Sequence, residues 1–290
     1  MGTSSSGTGP GNNSPLLPNW APNVDPYPDS DKDKKKDKDV NDKEKEKKDD
    51  TGKDDKKEEN LNKPILTGNW GSVKATLGKL ANGNKGSSVK SVGKAYINNL
   101  GGVRNAVRGS RAGISSGAVY ANFLNSISER GFTQTLTEYG LSDCIGKSTE
   151  EVFARIADRI SPAGDTNEDA IARKALLASL EVLYEKYIEG NGDITALNNL
   201  KENDLKEAVI EYISSYIFYK WLYELGLAIE NKQIDESKAI HLEGEIKEFI
   251  HGEVKVELKR KDITKIDFGT GEGKKIIENI FEQSYTTIES

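Results

Sequence analysis

The stretch AVIEYISSYIFYKWLYELGLAI, Ala208 to Ile229, decides how the rest of the chain is read. It is the most apolar segment of the sequence, yet Glu211, Lys220 and Glu224 interrupt it. A helix spanning hydrocarbon would bear those charges at a heavy cost, so the segment reads as a buried helix of a soluble protein. Asn203 or Asp204 is placed to open it, and it runs to about Glu230.

The flanking segments carry the same period. Upstream, EDAIARKALLASLEVLYEKYI repeats apolar residues at three- and four-residue spacing, with Asp165 or Asn167 as its expected cap. Ser148 followed by Glu151 forms a capping-box pattern ahead of VFARIADRI. Downstream, Asp235 opens a helix through Ile240, Ile246, Phe249 and Ile250. The run EVKVELKR alternates in part, but no partner strand with a good turn is evident, so the reading is continued helix. GKKIIENIFEQSYTTI closes the chain as a last helix. Nearer the start, a short helix is expected around Gly71 to Leu80. Ser87 or Ser88 caps a second, and two helical pieces follow Gly101 and Gly102. No period of the length that marks repeat proteins is present. The expectation is an all-α body of about 6–8 helices over residues 63–290, preceded by a disordered N-terminal tail.

That tail accounts for an unusual composition. Of 290 residues, 35% are hydrophobic and 30% charged. The charge concentrates in residues 31–62, where DKDKKKDKDVNDKEKEKKDDTGKDDKKEE mixes both signs almost without interruption. Such a tract cannot bury enough apolar surface to offset the entropy of ordering it. It reads as a tether with a reach on the order of 30 Å. Residues 1–30, rich in Gly, Ser, Asn and Pro, read as a flexible segment at its end.

The net charge of −6 conceals an asymmetry. No acidic residue lies between Glu59 and Glu129, while Lys63, Lys74, Lys79, Lys85, Lys90, Lys94, Arg104, Arg108 and Arg111 all do. Lys90, Lys94, Arg104, Arg108 and Arg111 are the anion-binding candidates, since an i, i+4 pair such as Arg104 and Arg108 projects from one helical face. The glycines among them would admit a phosphate backbone closely. A nucleic-acid-binding module acting through residues 63–111 is therefore one functional reading. Aromatic interleaving is sparse, which weakens single-strand stacking. The opposing reading is that the basic stretch and the acidic remainder neutralise each other within one fold.

Catalytic signatures are weak. Gly146-Lys147-Ser148-Thr149 imitates the end of a P-loop, but Leu141 stands where the first glycine belongs, and Ser148 is explained by capping. DFGTGEGKK, Asp267 to Lys275, reads as a glycine loop entering a helix. His241, His251 and the lone Cys144 have no metal-ligand spacing, so no metal site, catalytic residue or cofactor is expected in this chain. Cys144 reads as a small buried apolar residue. One cysteine excludes an internal disulfide, and the apolar run of a secretory signal is lacking, so the expected compartment is the cytoplasm. MGTSSS fits a myristoylation pattern, but a single acyl chain beside a tether that is not basic argues against membrane use.

The N-terminus offers different chemistry. Once Met1 is removed, Gly2 presents an unhindered α-amine with a pKa of ~7.7–8.0, so roughly a tenth is nucleophilic at neutral pH. Without a side chain it enters a narrow site. Thr3, Ser4, Ser5 and Ser6 can lie extended behind it, and Pro15, Leu16, Leu17, Pro18 and Trp20 form an apolar anchor.

Three stretches together, MGTSSSGTGPGNNSPLLPNW, GGVRNAVRGSRAGISSGA and EIKEFIHGEVKVELKRKDITKIDFGTGEGKKIIENIFEQSY, resemble the QatB family. That family is the helical component of the bacterial Qat anti-phage defence system. The likeness covers both ends and the folded part but not the charge tether. It implies a non-enzymatic protein that works beside an ATPase (QatA), a QueC-like enzyme (QatC) and a TatD-like nuclease (QatD). ATP and zinc would belong to the QueC-like partner. QueC enzymes activate the carboxylate of a deazaguanine with ATP. The resemblance implies that such a partner binds the N-terminus of this chain and conjugates a deazaguanine-type nucleobase to Gly2, reading Thr3 to Ser6 as recognition sequence.

Overall fold

The computed structural model describes residues 70–290 except 162–163, 165, 190–192, 231–235 and 260–270; within the helices, side chains 226–230 and 236 are also outside the description. The proposed tail, the tether and the start of the body at residue 63 therefore lie outside the described residues.

The fold is all-α. Among the described residues there are ten α-helices and no strand. Eight have eleven residues or more: α1 (Trp70–Ala81), α2 (Val89–Asn99), α4 (Arg111–Arg130), α6 (Thr149–Ile160), α7 (Asn167–Tyr187), α8 (Glu202–Glu230), α9 (Glu236–Lys259) and α10 (Gly271–Glu289). Two short helices, α3 (Val103–Arg108) and α5 (Phe132–Glu138), sit at corners of the chain. The EVKVELKR run is helical up to Lys259, as expected.

Helix α8 is the centre. It packs most extensively on α7, and it also meets α9, α4 and α1. Every residue from Tyr212 to Trp221 is buried, so the segment is apolar all round because it has neighbours all round. Helix α10 closes the opposite side, lying on α2, α3, α4 and α9. The buried side chains form a core running from Val73 in α1 to Ile288 in α10. No helix among the described residues is long and apolar enough to cross a membrane.

Local chemistry sets the ends. Ser88 caps α2 by accepting the Ser91 N–H, and Ser91 reciprocates through its own hydroxyl. Ser148 caps α6 by accepting the Glu151 N–H, but the Glu151 side chain pairs with Lys147 instead of completing the box. The cap of α7 is Thr166 rather than Asp165 or Asn167. Thr166 has the extended backbone a cap needs and accepts from Asp169, whereas Asn167 is already the first helical residue. Helix α8 starts at Glu202, one residue before the expected Asn203, because Asp204 turns back to accept the Lys201 N–H. Gly131, at φ 86°, makes the α4–α5 corner, and the side chain of Asn198 holds it by accepting the Phe132 N–H at 2.6 Å.

Candidate functional site

Gly2, Thr3, Ser4, Ser5, Ser6, Pro15, Leu16, Leu17, Pro18 and Trp20 all lie outside the described residues. The other predicted set is described in full. Lys90 and Lys94 stand on α2, Arg104 and Arg108 on α3, and Arg111 opens α4; all five are exposed. The fold does not gather them into one anion cradle. Lys94 borders a groove between α1 and α2, together with Ser72, Val73, Ser91, Ala95 and Asn99. Arg104 and Arg108 instead share a shallow cleft between α3 and α10 with Glu278, Asn279 and Glu282. Two carboxylates beside two guanidiniums lower the local positive potential, as the neutralising reading required.

Two glycines of this basic stretch, Gly113 and Gly117, open α4 to tyrosines rather than to the surface. A Cβ on Gly113 would stand 2.5 Å from Cε2 of Tyr216, and one on Gly117 would stand 2.8 Å from Cε1 of Tyr212. Real Cβ atoms do not approach ring carbons that closely, so glycine alone lets α8 approach α4 at this depth. The Tyr212 hydroxyl then donates to the Gly113 carbonyl at 2.9 Å. Ser110 is fully buried, donates to the Ala106 carbonyl at 2.9 Å, and exchanges a 2.8 Å hydrogen bond with Tyr285 of α10.

Beneath the same stretch lies a buried polar cluster. Lys220 of α8 is 7% exposed, and its Nζ donates to the Gly109 carbonyl at 2.6 Å. The carboxylates of Glu168 and Glu224 each stand 3.6 Å from that Nζ. Tyr96 of α2 donates to Glu224 at 2.5 Å and stacks on Trp221 with ring centroids 5.3 Å apart. Burial raises the Glu224 carboxyl above its usual range, and the Lys220 charge only partly offsets it. Burial, reinforced by Glu224, pushes the Tyr96 hydroxyl well above the ordinary phenol value. Lys220 and Glu224 are two of the three charges that interrupt the apolar stretch. The third, Glu211, accepts from Ser215 at 2.7 Å and faces Lys247 and His251, each at 3.8 Å. These charges join helices together. Sequence reading found them as anomalies, but it had no signal for their partners, because Lys220 and Gly109 are 111 positions apart.

Of the remaining motifs, the 267–270 loop of DFGTGEGKK lies outside the described residues, and the others are described in full. Lys147 pairs with Glu151 at 3.3 Å beside the Ser148 cap, so the P-loop imitation is the start of α6. Cys144 is buried, as expected. His241 lies on the exposed side of α9, 3.9 Å from Glu245. Among the described residues, no three His, Cys, Asp or Glu side chains converge as metal ligands.

Compared with known protein families, residues 101–288 match QatB, described as Qat anti-phage system associated protein QatB. No curated protein and no solved structure matches the chain.

Proposed function

Because the chain belongs to the QatB family, we propose that it is a non-enzymatic substrate and partner of a QueC-like enzyme, acting in the cytoplasm through its N-terminal glycine. Membership itself makes it a component of an anti-phage defence system and implies partners within that system. The family match over residues 101–288 is the observation that carries the reading. The sequence of the N-terminus supplies the chemistry.

In this reading the QueC-like partner, QatC, uses ATP to form an adenylated deazaguanine carboxylate. The unprotonated Gly2 amine attacks the activated carbonyl carbon. A C–N bond forms, the C–O bond to AMP breaks, the nitrogen loses its proton to solvent, and AMP leaves. Gly2 serves because it is unhindered, with Thr3 to Ser6 filling the approach groove and Pro15 to Trp20 anchoring the segment. The helical body supports this division of labour by what its buried charges do: Lys220 donates to the Gly109 carbonyl, Glu224 accepts from Tyr96 of α2, and Glu211 faces Lys247 of α9, so each ties α8 to a neighbouring segment. QatA and QatD are the further partners.

Intact-mass analysis of the N-terminal peptide tests this, using chain co-expressed with its QueC-like partner. The expected result is a mass gain on Gly2 that disappears when the partner is omitted. An unmodified Gly2 in the presence of the partner overturns the conjugation. A second reading, nucleic-acid binding through residues 63–111, draws on the exposure of Lys90, Lys94, Arg104, Arg108 and Arg111. It requires that charge reversal at Arg104, Arg108 and Arg111 abolish binding of duplex DNA with a steep salt dependence.

A further inference from the structure

Helix α1 contributes little to the core on which it lies. Of its twelve residues only Val73, Leu77 and Gly78 are buried, and it packs mainly on α2, less extensively on α8 and α9. Its sequence, WGSVKATLGKLA, holds two glycines and the β-branched Val73 and Thr76, so its intrinsic preference for helix is low. A helix of this length is marginal in water by itself, and no acidic side chain in the first turn complements its dipole. The interface beneath it is incomplete as well. A groove of about 410 Å³ separates Ser72 and Val73 from Ser91, Lys94, Ala95 and Asn99. Asn99 is 6% exposed, and neither Nδ2 nor Oδ1 of its sealed amide has a hydrogen-bond partner among the described residues. An amide buried in this way forfeits its hydration without compensation. Docked α1 carries that cost, and moving Val73 away returns water to the amide.

We propose that α1 is a detachable strap, which opens from α2 as a unit while α4, α7, α8 and α10 stay folded. Those four helices are joined to one another by buried hydrogen bonds: Tyr120 with Ser179, Tyr212 with the Gly113 carbonyl, and Tyr285 with Ser110 at the head of α4. Opening has a consequence for the buried charges. The Trp70 ring lies 6.2 Å from that of Tyr96, whose hydroxyl donates to Glu224. Departure of α1 therefore uncovers Tyr96 and admits water towards the Glu224–Lys220 pair. The strap also couples the chain ahead of Trp70 to the body. A partner that grips that chain more tightly in the open form shifts the equilibrium by its difference in affinity. This inference goes beyond the Gly2 reading and stands without it.

Hydrogen exchange on the full-length chain tests the strap. Amides 75–80 are expected to exchange about a hundredfold faster than amides 212–221 of α8, with a weaker dependence on urea, the mark of an opening smaller than global unfolding. Equal rates with equal urea dependence overturn the proposal. Exchange of α1 as fast as an unfolded peptide overturns it too, because the helix would then not be docked. A second measurement uses buried Cys144 as an internal clock. In the full-length chain carrying Val73→Cys, a maleimide should label position 73 about a hundredfold faster than Cys144, each rate being normalised to its value in concentrated urea. Adding Asn99→Leu should slow labelling at position 73 several-fold, because the amide that gains water on opening is gone. Similar rates at positions 73 and 144, or a rate at 73 that Asn99→Leu leaves unchanged or raises, overturn the strap.

Discussion

The stretch from Gly101 to Gly117 has two sides that differ in kind. Arg104, Arg108 and Arg111 face solvent, and the first two border a shallow cleft that they share with Glu278 and Glu282. Gly109, Ser110, Gly113 and Gly117 face inward and receive Lys220, Tyr285, Tyr216 and Tyr212. The charged side is the one that draws attention in a sequence. The inward side is where geometry leaves no freedom, because the rings of Tyr216 and Tyr212 occupy the space that a side chain on Gly113 or Gly117 would need. The lesson is that a glycine-rich basic run can be a packing seam whose charges are incidental to its spacing. The QatB match begins at residue 101, where this seam begins, and ends at 288, where α10 buries its last isoleucine.

The largest effect should come from removing the charge that reaches into the seam. Lys220→Met takes away the donor to the Gly109 carbonyl and leaves Glu168 and Glu224 without their shared cation. Breaking a buried pair on one side destabilises by about 3 kcal/mol, measurable by urea unfolding. Adding Glu224→Gln to that variant should recover part of the loss. A Lys220→Met loss under about 0.5 kcal/mol, the range of a plain surface change, would break the comparison, since the cluster would then not hold the seam.

Gly113→Ala comes next. The new methyl collides with the Tyr216 ring, which is fully buried and cannot swing clear. Overpacking of this kind costs about 1–3 kcal/mol, read as a lowered melting temperature, although alanine is the better helix former. A neutral or stabilising Gly113→Ala would mean that α4 and α8 slide apart easily and that the inward side is not constrained.

How far this arrangement was legible in the sequence depends on separation along the chain. Apolar spacing of three and four residues located α7, Ser148 marked the start of α6, and of the two serines offered for the start of α2 the cap is Ser88. Helix α5 was not legible: FTQTLTE spans two turns, too few to display a period, and Asn198 of a distant turn fixes its start. Arg104 and Arg108, read as projecting from one helical face, are both exposed on α3, and Arg111 is exposed at the start of α4. The partners of Lys220 and Glu224 were not legible, since Tyr96 lies 128 positions from Glu224 and no local pattern encodes such a pairing. The packing role of Gly113 and Gly117 was not legible for the same reason, because the tyrosines they admit come from α8.

A pH titration sharpens the comparison at the buried end. Burial raises the folded-state pKa of Glu224 above its usual 4.5, so between those two values the folded chain holds a proton that the unfolded chain has lost. Stability therefore falls as pH rises from about 4.5 through the folded value and then levels. Glu224→Gln removes that contribution while keeping an acceptor for Tyr96. The melting temperature of the variant relative to the parent should accordingly climb across this window. A relative melting temperature that falls as pH rises would show that Lys220 more than compensates the burial.

The smallest effect belongs to the outward side. Arg104→Ala and Arg108→Ala remove exposed side chains of α3, replace arginine with the best helix former, and leave Ala106 and Val107 buried. Each should change stability by no more than about 0.5 kcal/mol in urea unfolding. The neighbouring Glu278 and Glu282 would then lose nearby positive charge, so any loss should shrink as salt screens the exposed pairs. A loss comparable to that of Gly113→Ala, persisting in high salt, would make the arginines part of the seam and erase the distinction between the two sides. A loss within the expected range leaves them free for contact with a partner, the role that the inward-facing glycines cannot fill.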